Sequence, residues 1–135
     1  MINNSIKSLA NLKKRKQESL ESELAKLHTQ KDSCVLQVEQ LTSEIHANRQ
    51  NKSDYKKSFY KQLPNSIMAK DCLKSLLIQT EAFDKDHQSI EETKQLTLSN
   101  LDLIKEKISQ TKQAVKALTI KQEKYSFLLS SYANA

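Results

Sequence analysis

Apolar residues recur along most of this chain in alternating steps of three and four. The first series holds Leu20, Leu24, Leu27, Cys34, Val38, Leu41, Ile45, Tyr55 and Phe59, with Lys31, Asn48 and Lys52 in its polar slots. The second holds Leu73, Leu76, Phe83, His87, Ile90, Leu101, Ile104, Ile108, Val115, Leu118, Tyr125, Leu129 and Tyr132, with polar slots at Thr80, Lys94, Thr97, Thr111 and Gln122. A 3.5-residue period sustained this long predicts a left-handed coiled coil.

A single break separates the two series. Its sequence is QLPNS, residues 62–66, in which Pro64 disfavours a helical Leu63 and Asn65 or Ser66 can cap a new helix. We predict an all-α fold in which two long helices form an antiparallel coiled-coil hairpin, as one elongated domain over residues 1–135. The first helix covers about residues 5–61, the turn about 62–66 and the second helix about 65–132.

The position of the turn also predicts how the helices face each other. If the turn centres on Pro64, facing residues have numbers that add up to about 130. The alternative architecture is two chains that pair in parallel, each through one bent helix. The proline between the helices favours the hairpin over this alternative.

The composition agrees with long helices and excludes several classes of function. The 135 residues include no glycine and one proline, and 28% are charged while only 5% are aromatic. The chain therefore has few turns and a narrow apolar seam rather than a thick core. Without glycine it cannot build a phosphate-binding loop, which argues against a nucleotide-binding enzyme.

Residues that carry chemistry are scattered along the chain. Cys34 and Cys72 lie too far apart for a zinc or redox motif, and the three histidines stand in separate parts of the sequence. We interpret Cys34 as an apolar filler of the seam and His87 as a hydrogen-bonded interior histidine. The sequence thus predicts no enzyme, no cofactor and no metal site. It also lacks a signal peptide and a membrane-length apolar run, so we expect a cytoplasmic protein.

The net charge of +6 is distributed unevenly, and the most notable basic segment interrupts an apolar stripe. Leu9 and Leu12 begin the stripe, the four cations Lys13, Lys14, Arg15 and Lys16 follow, and leucines resume at Leu20. Four consecutive cations cover every side of a helical turn. Three interpretations are open: a solvated face, a set of contacts to nucleic-acid phosphates, or a docking surface for an acidic protein partner. We favour the docking surface.

The segment YSFLLSSYANA, residues 125–135, adds apolar surface at the end of the chain. Tyr125 belongs to the seam, whereas Phe127 and Leu128 point elsewhere. Together with Ile120 they make this end of the hairpin apolar on more than one face. Such a patch beside cations is typical of a protein-binding site, and a locally wider core or an end-to-end dimer is the alternative.

These features resemble the YscO/FliJ family, the stalk proteins of bacterial type III secretion and flagellar export. The resemblance covers the whole chain as a short, basic, glycine-poor hairpin. Locally it rests on the start IKSLANLKKRKQESLESELAKL, residues 6–27, where a basic run precedes a leucine ladder. It also rests on the end ALTIKQEKYSFLL, residues 117–129, which is similar to the basic-then-aromatic finish of the family.

The resemblance implies a central stalk whose open end enters the pore of a hexameric export ATPase, stimulates it and links it to the export gate, with secretion chaperones as further partners. It implies a bacterial protein at the cytoplasmic face of the apparatus, with neither specific nucleic-acid binding nor membrane insertion. The implied partner-binding residues are Lys13, Lys14, Arg15, Lys16, Lys121, Lys124, Tyr125 and Phe127. The alternatives are a coiled-coil adaptor or secretion chaperone that binds along its length, and a basic hairpin associated with nucleic acid.

Overall fold

The computed structural model describes residues 2–62 and 69–134 as two α-helices. Helix α1 is Ile2–Gln62 and helix α2 is Ala69–Asn134. The two long helices pack against each other as a helical hairpin, which confirms the predicted fold class. The predicted turn at Pro64 and the predicted start of the second helix lie outside the described residues. Helix α1 begins three residues before its predicted start, and α2 extends two residues past its predicted end.

The composition of each helix explains its continuity. Neither helix contains glycine or proline, the two residues that most strongly disfavour a helix interior. Helix α1 is Lys/Glu/Gln/Leu-rich, and these residues have high helix propensity. Propensity alone holds isolated helices weakly, so the apolar seam between α1 and α2 supplies the main stabilisation.

The hairpin divides into two compact units, each made of one segment from either helix. The first unit, which we call the terminal unit, comprises Met1–Ser33 and Leu101–Ala135. Among the residues of this unit whose burial the structure describes, the buried ones are Leu27 on α1 and Leu101, Ile104, Ile108 and Leu118 on α2. All five occupy predicted seam positions, so the heptad pattern located this core correctly.

The second unit, the central unit, comprises Cys34–Asn100. Outside residues 63–69, its buried side chains are Cys34, Ile45 and Leu76, again at predicted seam positions. In the same unit the rings of Tyr55 and Phe83 meet across the helices, with centroids 6.0 Å apart and planes tilted by 55°. Tilted aromatic pairs at this separation are attractive beyond their buried area.

The polar slots of the seam also lie where the pattern predicts. Each of them is half-buried rather than exposed, so polar side chains replace apolar ones within the contact between the helices. These residues are Lys31, Asn48 and Lys52 on α1 and Thr80, Lys94, Thr97, Thr111 and Gln122 on α2. Polar seam residues lower the stability of a coiled coil and specify its register.

The predicted stripe at the start of α1 is wrong. Leu9 and Leu12 are 44% and 60% exposed, whereas Ile6, Ala10 and Lys13 are half-buried. The seam reaches this segment by steps of three and four backwards from Leu20, and those steps bypass both leucines. Leu73 and Tyr132, the first and last residues of the second apolar series, are also too exposed to act as core residues, at 46% and 47%.

The predicted register fits one of the contacts between the helices and misses the contacts between side chains, which lie six to eight residues beyond it. The Asn48 amide bonds to the carbonyl of Phe83, one residue from its expected partner. The Gln17 side chain, by contrast, bonds to Thr119, six residues beyond its expected partner Gln113. Helical side chains lean towards the N-terminus of their own helix, so in an antiparallel pair they meet residues with higher numbers.

Candidate protein-binding surface

The cationic turn, defined as Lys13, Lys14, Arg15 and Lys16, surrounds α1 in the terminal unit. Lys13 is half-buried because it occupies a seam slot, while the other three side chains are exposed. Successive helical residues are about 100° apart, so the four side chains span about 300° around the axis. The positive charge is therefore presented in nearly every direction, including the seam itself.

A cross-helix hydrogen bond lies directly beside the cationic turn. The Gln17 Nε2 amide donates to Thr119 Oγ1 at 3.2 Å and to Glu21 Oε1 at 3.2 Å. The Thr119 hydroxyl donates in turn to the carbonyl of Val115 at 2.9 Å. Its single proton is thereby used, and its oxygen is left to accept from Gln17. This link fixes the position of the cationic turn relative to α2.

A shared groove brings the cationic turn next to the C-terminal segment of α2. Lys14 and Gln17 line this groove from α1, and Gln122 and Ser126 line it from α2. Glu18 is also part of its wall, so the groove carries both signs of charge. The groove contains mainly polar side chains, which suits a wetted contact rather than an apolar ligand.

The other predicted binding residues lie on the C-terminal part of α2. Tyr125 is half-buried in the seam, Lys121 and Lys124 are exposed, and Phe127 is 71% exposed. Lys124 and Phe127 line a shallow apolar depression together with Ile120, Glu123 and Leu128. All eight predicted residues thus belong to the terminal unit, but Lys14 and Lys124 line different depressions.

The whole net charge of the protein resides in the terminal unit. That unit contains thirteen Lys and Arg against seven Asp and Glu, whereas the central unit contains nine of each. The terminal unit therefore carries the net positive charge of the chain, and the central unit is neutral as a whole.

The central unit contains a polar cluster that sequence reasoning did not find. Lys52 on α1 forms an ion pair with Asp84 on α2, and the hydrogen bond from Lys52 is the main cause of the lowered pKa of the Asp84 carboxyl. The charges of Lys52, Lys56 and His87 lower this pKa further, while desolvation opposes the shift. The cluster spans the helices and so contributes to their pairing.

His87 lies at the edge of this cluster, where it lines a small depression with Arg49 and Phe83. Among the residues that the structure describes, no hydrogen-bond partner reaches its buried Nδ1 atom. His87 is half-buried at a seam position, as predicted. The predicted hydrogen bond is absent at its Nδ1 atom among the described residues. Gln17 is similar, since within residues 2–62 and 69–134 its buried Oε1 atom has no partner either.

The described parts of the chain hold neither a candidate metal site nor a membrane-spanning stretch. Residues 2–62 and 69–134 contain no group of three or more His, Cys, Asp or Glu side chains arranged to hold a metal ion. Within the same ranges, neither helix has a stretch long and apolar enough to cross a membrane. Cys34, the thiol at a seam position, is buried and free.

Comparisons with known proteins leave the family open. Protein-family models, curated proteins and solved structures were each searched, and none of them matches this chain.

Proposed function

We propose that this protein is a non-enzymatic stalk that docks through its terminal unit onto a hexameric export ATPase. The observation that carries the proposal is the concentration of the whole net charge in the terminal unit, around the cationic turn. A hairpin with a neutral central unit and a basic terminal unit has one electrostatically distinct docking region. Charge complementarity steers and orients a partner more strongly than it sets raw affinity.

The cationic turn suits a partner that surrounds the helix. A single apolar face would hold a stalk in one orientation inside a ring. Lys14, Arg15 and Lys16 instead point in different directions around α1, so a ring of acidic side chains attracts them from any rotational setting. The half-buried Lys13 extends this charge into the seam at the expense of local packing.

The finer parts of the proposal follow from the resemblance to the YscO/FliJ family. The stalk stimulates ATP hydrolysis by the hexamer and links it to the export gate, and it can also meet secretion chaperones. It works in the bacterial cytoplasm, at the cytoplasmic face of a type III secretion or flagellar export system. Lys121, Lys124, Tyr125 and Phe127 extend the docking region onto α2.

The test is ATP hydrolysis by the export ATPase of the same genome, with and without the hairpin, at moderate salt. We expect stimulation that is lost with the triple variant K14E/R15E/K16E, which leaves the seam residue Lys13 in place. The matched control reverses three exposed cations of the central unit and should keep the stimulation: K57E, K61E and K74E. Stimulation that survives the triple variant contradicts docking through the cationic turn.

The second candidate is an adaptor or chaperone that binds partners along the length of the hairpin. Three exposed leucines outside the cationic turn favour it, because Leu36, Leu96 and Leu103 are 65%, 73% and 58% exposed. Removing residues 122–135 separates the candidates, since a stalk loses its partner and an adaptor keeps most of its binding. The nucleic-acid alternative predicts a steep salt dependence of binding to any duplex.

A further inference from the structure

The C-terminal part of α2 has a second ladder of residues on the side away from the seam. Ile120 and Phe127 each follow a seam residue by two positions, which is about 200° around the helix, and they therefore lie opposite the seam. We call the set Ala117, Ile120, Lys124, Phe127 and Leu128 the outer face. Four of its members are separated by steps of three, four and three, the spacing of a coiled-coil seam.

The apolar side chains of the outer face are exposed on the hairpin. Ile120 is 45% exposed, Phe127 is 71% exposed and Leu128 is 41% exposed, and all three line one continuous depression. Ile120 and Phe127 are seven residues apart and so lie two turns apart on the same face. An amphipathic helix places apolar side chains between such knobs and buries them.

The lysines around the outer face determine the charge of the helix that can pair with it. Lys116 and Lys121 flank the outer face on its two sides, and Lys124 lies within it. Between Lys107 and Phe127 the only acidic residue is Glu123. Flanking charges in coiled coils pair with opposite charges on the facing helix. A second copy of this chain would bring the same lysines against each other, so self-pairing through this face is disfavoured.

We infer that the outer face binds an amphipathic helix of a protein partner, whose apolar stripe is flanked by aspartate and glutamate. The inference deepens the proposed function, because Lys121, Lys124 and Phe127 belong to the docking region proposed above, but its test uses a helical peptide and requires no ATPase. It assigns Phe127 and Ile120 as the apolar anchors and Lys121 and Lys124 as the charges that select an acidic helix. The cationic turn on α1 has no part in it.

The experiment uses the full chain and three fluorescein-labelled peptides of three heptads each. The first peptide carries leucines on one stripe with flanking glutamates, the second has lysines in place of the glutamates, and the third is a scrambled acidic sequence. Fluorescence anisotropy should detect binding of the first peptide only. Raising NaCl from about 0.1 M to about 0.5 M should weaken that binding several-fold, because exposed ion pairs are screened.

Two matched pairs of variants locate the contact. Phe127→Ala should weaken binding about tenfold, as expected for an aromatic anchor, while Leu36→Ala on the outside of the central unit should change nothing. Lys121→Glu should weaken binding, while Lys85→Glu should not. Because Phe127 is largely exposed, circular dichroism should show an unchanged helix content in the Phe127→Ala variant.

Three results would overturn the inference. The first is equal affinity for the acidic and basic peptides, or for the acidic and scrambled ones. The second is an affinity for the acidic peptide that Phe127→Ala leaves unchanged. The third is a stable homodimer, seen by sedimentation equilibrium, that dissociates on Phe127→Ala, because a second copy would then be the natural occupant of the face.

Discussion

The side-chain amide of Asn48 on α1 donates a 2.9 Å hydrogen bond to the backbone carbonyl of Phe83 on α2. A carbonyl within a helix already accepts one bond from its own helix, and Asn48 occupies its second lone pair. The bond joins a seam side chain to the partner backbone, so it depends on axial position and not only on side-chain shape. Asn48 therefore specifies the register of the central unit at some expense of apolar packing.

Replacing this asparagine with leucine should stabilise the hairpin. Asn48→Leu loses one hydrogen bond, worth about 1 kcal/mol, and gains the burial of an apolar side chain, worth about 1.5–3 kcal/mol. The expected net gain of about 1 kcal/mol corresponds to a rise in Tm of about 2–4 °C, measured by thermal circular dichroism. Asn48→Ala should lower the Tm, and a loss of stability in both variants would contradict a mainly register-setting role.

The ion pair between Lys52 and Asp84 predicts a stability that depends on pH in the acidic range. The folded-state pKa of Asp84 lies below the unfolded value, mainly because Lys52 donates a hydrogen bond to the carboxylate. Its stabilising contribution is therefore fully present above the unfolded pKa of about 3.9 and is lost as the pH falls through the folded pKa.

Urea unfolding of the natural chain and of Asp84→Asn should therefore differ at pH 6, and the difference should shrink as the pH is lowered below the unfolded pKa of about 3.9. Asp86→Asn removes the same charge from an exposed position on the same helix and serves as the control. The control should be close to neutral throughout this titration. A difference between the natural chain and Asp84→Asn that does not change as the pH falls would show that the effect does not come from ionisation of Asp84.

The course of the seam at the start of α1 can be tested by replacing one exposed and one buried leucine. Leu12 is 60% exposed, whereas Leu27 is 7% exposed in the core of the terminal unit. Leu12→Ala should change the free energy of unfolding by less than about 0.5 kcal/mol, and Leu27→Ala should lower it by about 2–4 kcal/mol. Equal losses in urea unfolding would restore the stripe through Leu9 and Leu12 as part of the core.

Most of the core could be predicted because the heptad pattern continues through its polar slots. Leu27, Ile104 and Leu118 follow from spacing alone, since steps of three and four fix the face of a helix whatever the intervening residues are. Leu9 and Leu12 misled the prediction because they are apolar but do not occupy heptad positions of the seam. Counting backwards from Leu20 would have found the half-buried Lys13 and, with it, the true seam.

The contacts between the helices could not be predicted in the same way. The bonds of Gln17 to Thr119 and of Lys52 to Asp84 require the axial register and the N-terminal lean of side chains, and no single-helix pattern contains either. The exposure of Phe127, by contrast, follows from its position two residues after the seam residue Tyr125. The sequence therefore predicts which side of each helix the candidate surface occupies. It does not predict the grooves, because these depend on how the two helices face each other.

Lys13 is the position at which the seam and the proposed docking surface overlap, so its replacement separates the two. Lys13→Leu places an apolar side chain in a half-buried slot and should raise the stability of the hairpin by about 1 kcal/mol in urea unfolding.

The same change removes one of four cations and leaves the exposed Lys14, Arg15 and Lys16 in place. If the cationic turn acts as a continuous band of charge, affinity for the acidic partner should fall several-fold while helicity is kept. Lys26→Leu, which removes an exposed charge from the same unit, controls for net charge and should leave affinity nearly unchanged. A more stable variant with full affinity would restrict docking to the three exposed cations, and a less stable one would contradict the seam position of Lys13.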